Sequence, residues 1–273
     1  MKLNHKLLDI SYPLIKKFFS SPQYQLRILN FHDVQKKDFN NFKKIINKLK
    51  KEWNIISPKD FEKKKFISKR SLLLTFDDGY KSQYYVAKQI LEPLKIKAIF
   101  FVVTDFIQIN SKIVSKNFIL SNINKEINKN STRFNEMENM SLNDVLDLSL
   151  SGHTIGSHTC GHSKLTIINK NLLARELIHS KNFLKNLLKK NINYFAYTYG
   201  DIKSVNQYIL SNIKKKYKYI FSGIRGNNYY SNKTNRIYFR DEINASYTEN
   251  LINSFLYGFT DLYYYRSRKK IQT

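Results

Sequence analysis

Apolar residues gather along this chain in short blocks divided by polar linkers, and the spacing inside the blocks switches between the period of a strand and that of a helix. Residues 25–31 have strand character and end on His32 and Asp33. Behind them Phe39, Phe42, Ile45, Ile46, Leu49 and Trp53 fall on one helical face with lysines between them. A short strand at 54–57 and a helical stretch from Pro58 follow. Residues 71–76 read as a buried strand that runs straight into Asp77, Asp78 and Gly79, and a helix over 82–91 joins it to a second buried strand at 97–103. Such a unit predicts parallel pairing. Residues 107–139 show no clear period and are rich in Asn and Lys, which predicts a flexible insertion or lid. Order returns at Ser141, whose spacing to Asp144 is that of a capping box ahead of a helix through Leu150. Strands are then expected at 154–157, 192–197, 217–221 and 236–240, with helices at 171–189, 204–215 and 249–264. The alternation predicts a single α/β domain over 25–264, either a barrel or an open parallel sheet, between an N-terminal extension (1–24) and a basic C-terminal tail (265–273).

Composition changes this picture in three places. At 273 residues and 42% hydrophobic content the chain can bury one large core. Of its eight glycines, seven fall in four clusters beside expected strand ends: Gly79; Gly152, Gly156 and Gly161; Gly200; Gly223 and Gly226. Glycine tolerates positive φ and close backbone approach, so the clusters predict specially shaped loops at one end of the sheet. The net charge of +26 is spread over several expected helices and no nucleic-acid-binding motif accompanies it, so no nucleic acid is expected as partner. An anionic membrane surface or an acidic glycan stays compatible with the charge. The lone Cys160 excludes an intrachain disulfide. Lys2 and Lys6 precede Leu7, Leu8 and Ile10, but Asp9 and Pro13 break the apolar run before it reaches the length of a signal-peptide core, and the longest apolar block, 98–103, is too short to span a bilayer. The expectation is a cytoplasmic protein, with peripheral attachment to the inner membrane surface as a second option.

The chemistry concentrates at two points. Adjacent carboxylates at a strand end, Asp77 and Asp78, point in different directions, so that one can hold a metal and the other act on a water beside it. Asp-Asp-Gly is equally good turn chemistry, and alone it decides nothing. His158 and His162 shift the balance, because a spacing of four lets two imidazoles converge on one cation, and with His153 they place three of the six histidines within ten residues of glycine-rich sequence. Asp78 with these two histidines makes a two-nitrogen, one-oxygen set that leaves coordination positions open, as catalytic sites do. Cys160 lies between the histidines and reads as a bystander. His5 and His179 read as solvated or core-edge residues.

The sequences Thr75-Phe76-Asp77-Asp78-Gly79 and His158-Thr159-Cys160-Gly161-His162 resemble the first two motifs of the polysaccharide deacetylases (carbohydrate esterase family 4, the NodB-homology domain). The run from Gly152 to His158 resembles the family's approach to its metal histidines. Phe195-Ala196-Tyr197-Thr198-Tyr199-Gly200 resembles its third motif, with Thr198 where the family form has proline. The resemblance spans roughly residues 28–240. It implies a deformed (β/α) barrel, a divalent metal, usually zinc, held by Asp78, His158 and His162, and Asp77 as general base in the hydrolysis of N-acetyl groups on a sugar. The oxyanion would be stabilised by the metal and backbone donors, with Tyr199 and Gly200 as the candidate pair.

Two family features are missing. The arginine that opens the third motif in many relatives is replaced by Ala196, and no histidine follows His179, where a late Leu-x-His would supply the general acid. An amide needs that proton because an amine leaves poorly as an anion. His32, at the end of the first barrel strand, is the replacement candidate; its Phe31-His32-Asp33-Val34 setting resembles machinery that some deacetylases of biofilm glucosamine polymers carry near the N-terminus. The alternative is a loop histidine paired with Asp33. Arg240, at the end of the last expected strand, is placed either to pair with Asp77 or to form a surface ion pair with Glu242. The functional expectation is a metal-dependent N-deacetylase acting on a glycan or glycan precursor; the alternative is a catalytically silent carbohydrate-binding relative that kept the metal site.

Overall fold

A computed structural model describes residues 4–16, 25–64, 70–228 and 236–272. Its nine strands are β1 (Leu26–Phe31), β2 (Asn54–Ile55), β3 (Ser71–Asp78), β4 (Ile99–Val102), β5 (Thr154–Ser157), β6 (Tyr194–Ala196), β7 (Tyr219–Phe221), β8 (Ile237–Tyr238) and β9 (Asp241–Glu242). They form one sheet in the order β8-β7-β6-β5-β4-β3-β1-β9, with β2 alongside the start of β3, and the paired strands run parallel. Seven strand spacings of about 4.8 Å would hold the edges of a flat sheet about 34 Å apart. Yet β8 and β9 are joined through Phe239 and Arg240 alone, and three residue steps reach at most about 11 Å. The sheet must therefore curl until its two edges nearly meet, which makes a deformed (β/α) barrel with helices outside.

Alternation along the strands sorts the core. Leu72, Leu74 and Phe76 of β3 join the large cluster under the helices, whereas Leu73 joins Ile28, Ile99, Phe101, Ala196 and Phe221 in the smaller barrel interior. Helix α1 (His5–Ile15) and the last helix, Tyr265–Gln272, both pack on this body: Tyr12 and Ile271 are buried. Helix α2 (Phe39–Glu52) buries Phe42, Ile46 and Leu49, the face its period predicts.

Three expected elements come out differently. Of the strand expected at 236–240 only β8 forms, and the chain then crosses to the opposite edge as β9 beyond it, because one straight strand cannot serve both edges of a curled sheet. The helix expected over 249–264 ends early, as α3 (Glu249–Leu256); Gly258, at φ +82°, follows in a left-handed turn. The segment 107–139, expected as an insertion without a clear period, has secondary structure of its own. It carries helices Lys112–Phe118 and Thr132–Glu136, and Ile119, Phe134 and Met137 bury themselves against Tyr80, Val103 and Phe106. Its apolar residues pack on a neighbouring loop, so no single helical period runs through them.

Candidate active site

Parallel strands bring all their C-terminal ends to one face, and the loops leaving that face enclose a cavity of about 400 Å³. Asp77 and Asp78 arrive from β3, Asn30 from β1 and His32 just after it, His158 and His162 after β5, Tyr199 and Gly200 after β6, and Arg240 from the β8–β9 junction; all line the cavity, as do Ile123, Asn124 and Arg133 of the 107–139 segment. Asp77 reaches the interior by parity with Leu73. Asp78 would face the helices by the same count, but its φ of +80° turns it out of alternation. Thr159, His162 and Tyr199 also adopt positive φ, so uncommon backbone gathers around this cavity.

The Asp78 Oδ1 atom stands 3.6 Å from His158 Nε2 and 3.4 Å from His162 Nε2. Those separations are too long for good hydrogen bonds. Two ligands about 2.0–2.1 Å from a tetrahedral ion lie about 3.3 Å apart, so the spacing suits a shared cation. The other ring nitrogens are already committed: His158 Nδ1 lies 2.7 Å from the Ala196 carbonyl oxygen and His162 Nδ1 2.8 Å from that of Asn122. Each contact places the proton on Nδ1 and leaves the Nε2 lone pair facing Asp78. Burial lowers both histidines to about 4, which keeps them neutral ligands. Asp78 Oδ1 is buried without a hydrogen-bond partner. An orphaned carboxylate oxygen between two aimed lone pairs fits a divalent cation, and nitrogen with oxygen donors suits zinc.

Asp77 is held differently. Arg240 meets it with a two-pronged contact, Nη1 to Oδ1 and Nη2 to Oδ2, each 2.7 Å, and Asn30 Nδ2 donates to Oδ2 at 3.0 Å. The arginine is itself fixed by the Ser222 carbonyl (2.8 Å), Asn30 Oδ1 (3.2 Å) and Thr75 Oγ1 (3.3 Å). Burial pushes the Asp77 carboxyl up, but Arg240 foremost, then His158 and His32, hold it well below the usual carboxylate range. Burial pushes Asp78 up, and His32 and His158 only partly oppose this. The two neighbours are thus electrostatically distinct, one clamped as an anion and the other pushed by burial toward its neutral form.

His32 is partly exposed, with Nδ1 3.8 Å from Glu242 Oε1. Burial would lower its pKa, but Asp78, Glu242 and Asp77 outweigh this and raise it. Asp33 does not pair with it; that carboxylate accepts from Ser82 Oγ at 2.9 Å and Arg133 Nε at 3.4 Å. Glu242 likewise leaves Arg240 to Asp77. Gly200 sits at φ +65°, and a Cβ there would lie 2.6 Å from Gly223 Cα, so the two glycine loops close the cavity wall only because both lack side chains. Tyr199 holds its half-exposed ring 5.1 Å from that of His162 and tilted 48° to it. Cys160 turns away from Asp78; its thiol is buried, pushed up to about 11, and lies 3.4 Å from the Arg175 carbonyl. His153 sits under Phe100 and its Nδ1 accepts from Ala98 N.

Several contributors carry no motif. Asn30 was findable by parity, two residues before His32 on an interior-facing register. Glu176 was not: it leaves a helix sixteen residues away to accept from the backbone N–H groups of Cys160 (2.7 Å) and Gly161 (2.9 Å).

Residues 64–219 match the polysaccharide deacetylase family. No curated protein matches the chain in sequence. Among solved structures, a polysaccharide deacetylase from Bacillus cereus superposes with a TM-score of 0.65 at 19% identity, covering 86% of this chain and 69% of its own. A Streptococcus pyogenes deacetylase in complex with acetate gives 0.64 at 20% identity over 86% and 99%. A de-N-acetylase from Aggregatibacter actinomycetemcomitans gives 0.60 at 19% identity over 85% and 99%.

Proposed function

Because the chain belongs to the polysaccharide deacetylase family, we propose that it is a metal-dependent hydrolase removing N-acetyl groups from an N-acetylated sugar of a glycan or glycan precursor. The observation that carries this reading is the unpartnered Asp78 Oδ1 facing two imidazole Nε2 atoms, next to a carboxylate clamped by arginine. Asp78, His158 and His162 would hold a divalent ion, most simply zinc, which supplies a Lewis acid for an acetamide carbonyl and acidifies a water.

The remaining work falls to the chain's own groups. Asp77 accepts the proton of the attacking water at a carboxylate oxygen; Arg240 and Asn30 fix its plane and keep it ionised. His32, protonated beside Glu242, delivers a proton to the departing sugar nitrogen, so that it leaves as an amine. The backbone at Tyr199 and Gly200, held against Gly223, lines the side where the oxyanion would form.

Metal content and acetate release, measured on the same samples with N-acetylglucosamine oligosaccharides and lipid-linked sugars, test the assignment. Asp78→Asn and His158→Ala should lose both metal and activity. Asp77→Asn should keep the metal and lose turnover by a factor of about 10² or more. Full activity in all three variants removes the mechanism, and metal without acetate release from any substrate supports a silent carbohydrate-binding relative instead.

A further inference from the structure

The face of α1 turned away from the protein is apolar. Its inner side is fully engaged: Tyr12 packs on Tyr257 and Phe259, Asp9 bonds to Thr248 Oγ1, and the His5 ring meets Tyr247 at 5.4 Å and Phe255 at 5.6 Å. The outer side carries Leu7, Ile10 and Leu14 at 63%, 61% and 73% exposure, one helical stripe by their spacing. A single exposed leucine needs no explanation; three in register on a helix already anchored from behind are a patch.

Its surroundings are basic. Helix α2 packs around the same stretch of chain: Asn41 Nδ2 donates to the Ala245 carbonyl, Lys48 pairs with Glu249, and Arg70 lies over both Trp53, at the end of α2, and Tyr257, which touches Tyr12. Five lysines against one glutamate make up the charge of α2, and Lys43, Lys44 and Lys51 are exposed; Lys6 of α1 and Lys16, just past its end, are exposed too. The cavity is adjacent, since Ala245 and Tyr247 form part of its wall. Among the described residues no helix is long and apolar enough to cross a membrane. Exposed apolar side chains with exposed lysines beside them on the same helix and on α2 suit a surface that is oily within and anionic at its rim.

We infer that α1 and α2 together form a docking surface for an anionic lipid bilayer, with Leu7, Ile10 and Leu14 entering the headgroup region and the α2 lysines resting on acidic headgroups. The cavity mouth then lies beside the membrane, where a sugar tethered to lipid or emerging from it is within reach. The surface rests on exposure and charge and is independent of the deacetylase activity.

Co-sedimentation of the full chain with vesicles of phosphatidylcholine, with and without a third of phosphatidylglycerol, tests it. Binding should require the anionic lipid and weaken with salt. Ile10→Glu and Leu14→Glu should each lower the partition coefficient about tenfold, and Lys43→Glu with Lys44→Glu should lower it about 25-fold or more, given about fivefold per basic residue at such a surface. These positions are exposed, so unchanged thermal melting and unchanged acetate release from a soluble oligosaccharide should accompany the loss. Absence of binding to anionic vesicles, or binding that both apolar variants leave intact, overturns the inference. So does a dimer in sedimentation that Ile10→Glu dissolves, which would assign the patch to a second copy of the chain.

Discussion

Arg240 and Glu242 stand two residues apart and control the two ends of the proposed proton path. Arg240 holds Asp77 through two parallel bonds that only a planar guanidinium makes. Arg240→Lys should keep the charge and lose the fork, so the Asp77 carboxyl rises toward its ordinary value and the acid limb of the kcat/KM profile moves to higher pH. Arg240→Ala leaves a buried carboxylate without its counter-ion and should cost about 3–5 kcal/mol of stability by urea unfolding. Glu242 acts on the other limb. His32 is raised by Asp78, Glu242 and Asp77 against the effect of burial, and a cation on Asp78 would cancel the first of these. Glu242→Gln should therefore lower the His32 pKa and move the basic limb to lower pH, with the acid limb unchanged; a fixed basic limb would show that another group is the acid. Both assignments began from sequence position, but the choice between partners did not. Arg240 is 163 positions from Asp77 and two from Glu242, and its burial in the barrel decides for the distant one.

The loop between His158 and His162 depends on an element that no motif announces. The helical segment from Lys170 to Leu188 widens into a π-turn at Arg175–His179, and Glu176 within it is buried, taking the N–H groups of Cys160 and Gly161 and the Ser163 hydroxyl (3.1 Å). It is a positioning residue that sets the loop's curvature. Glu176→Ala should weaken metal binding about 10- to 100-fold in a chelator competition titration, while Glu176→Gln, which keeps an acceptor oxygen, retains most of the affinity. Elements of this kind divide by legibility. The strand 71–76, the α2 face and the Ser141–Asp144 capping box are local patterns and appear as expected, the box with both its bonds. The helices between 107 and 139 pack against Tyr80 and Phe106 outside the segment, so their apolar positions follow a shared contact and not a period.

At the scale of the whole molecule, titration couples the fold to pH. His153 is lowered to about 4, by burial first and then by Lys97, against an ordinary value of 6.5. Below 6.5 the unfolded chain takes up a proton that the folded one refuses, so this stabilisation is complete above 6.5 and is lost as pH falls toward 4. At about 1.4 kcal/mol per unit it amounts to about 3 kcal/mol. His153→Gln preserves an acceptor for Ala98 N–H and removes the titration, so the variant's stability deficit should shrink by that amount between pH 7 and pH 4 in urea titrations; a constant gap would show that the imidazole keeps its ordinary pKa. Sequence by itself determined the parallel α/β alternation, the carboxylate pair, the paired histidines and the resemblance they carry, because each is written within a few adjacent residues. Tertiary structure alone decided that Arg240 meets Asp77, that His32 faces Glu242, that Glu176 braces the histidine loop and that α1 shows an apolar face to solvent. Those contacts exist because the sheet curls until β8 and β9 share one short link, and curvature is a sum over all the strands that no local pattern contains.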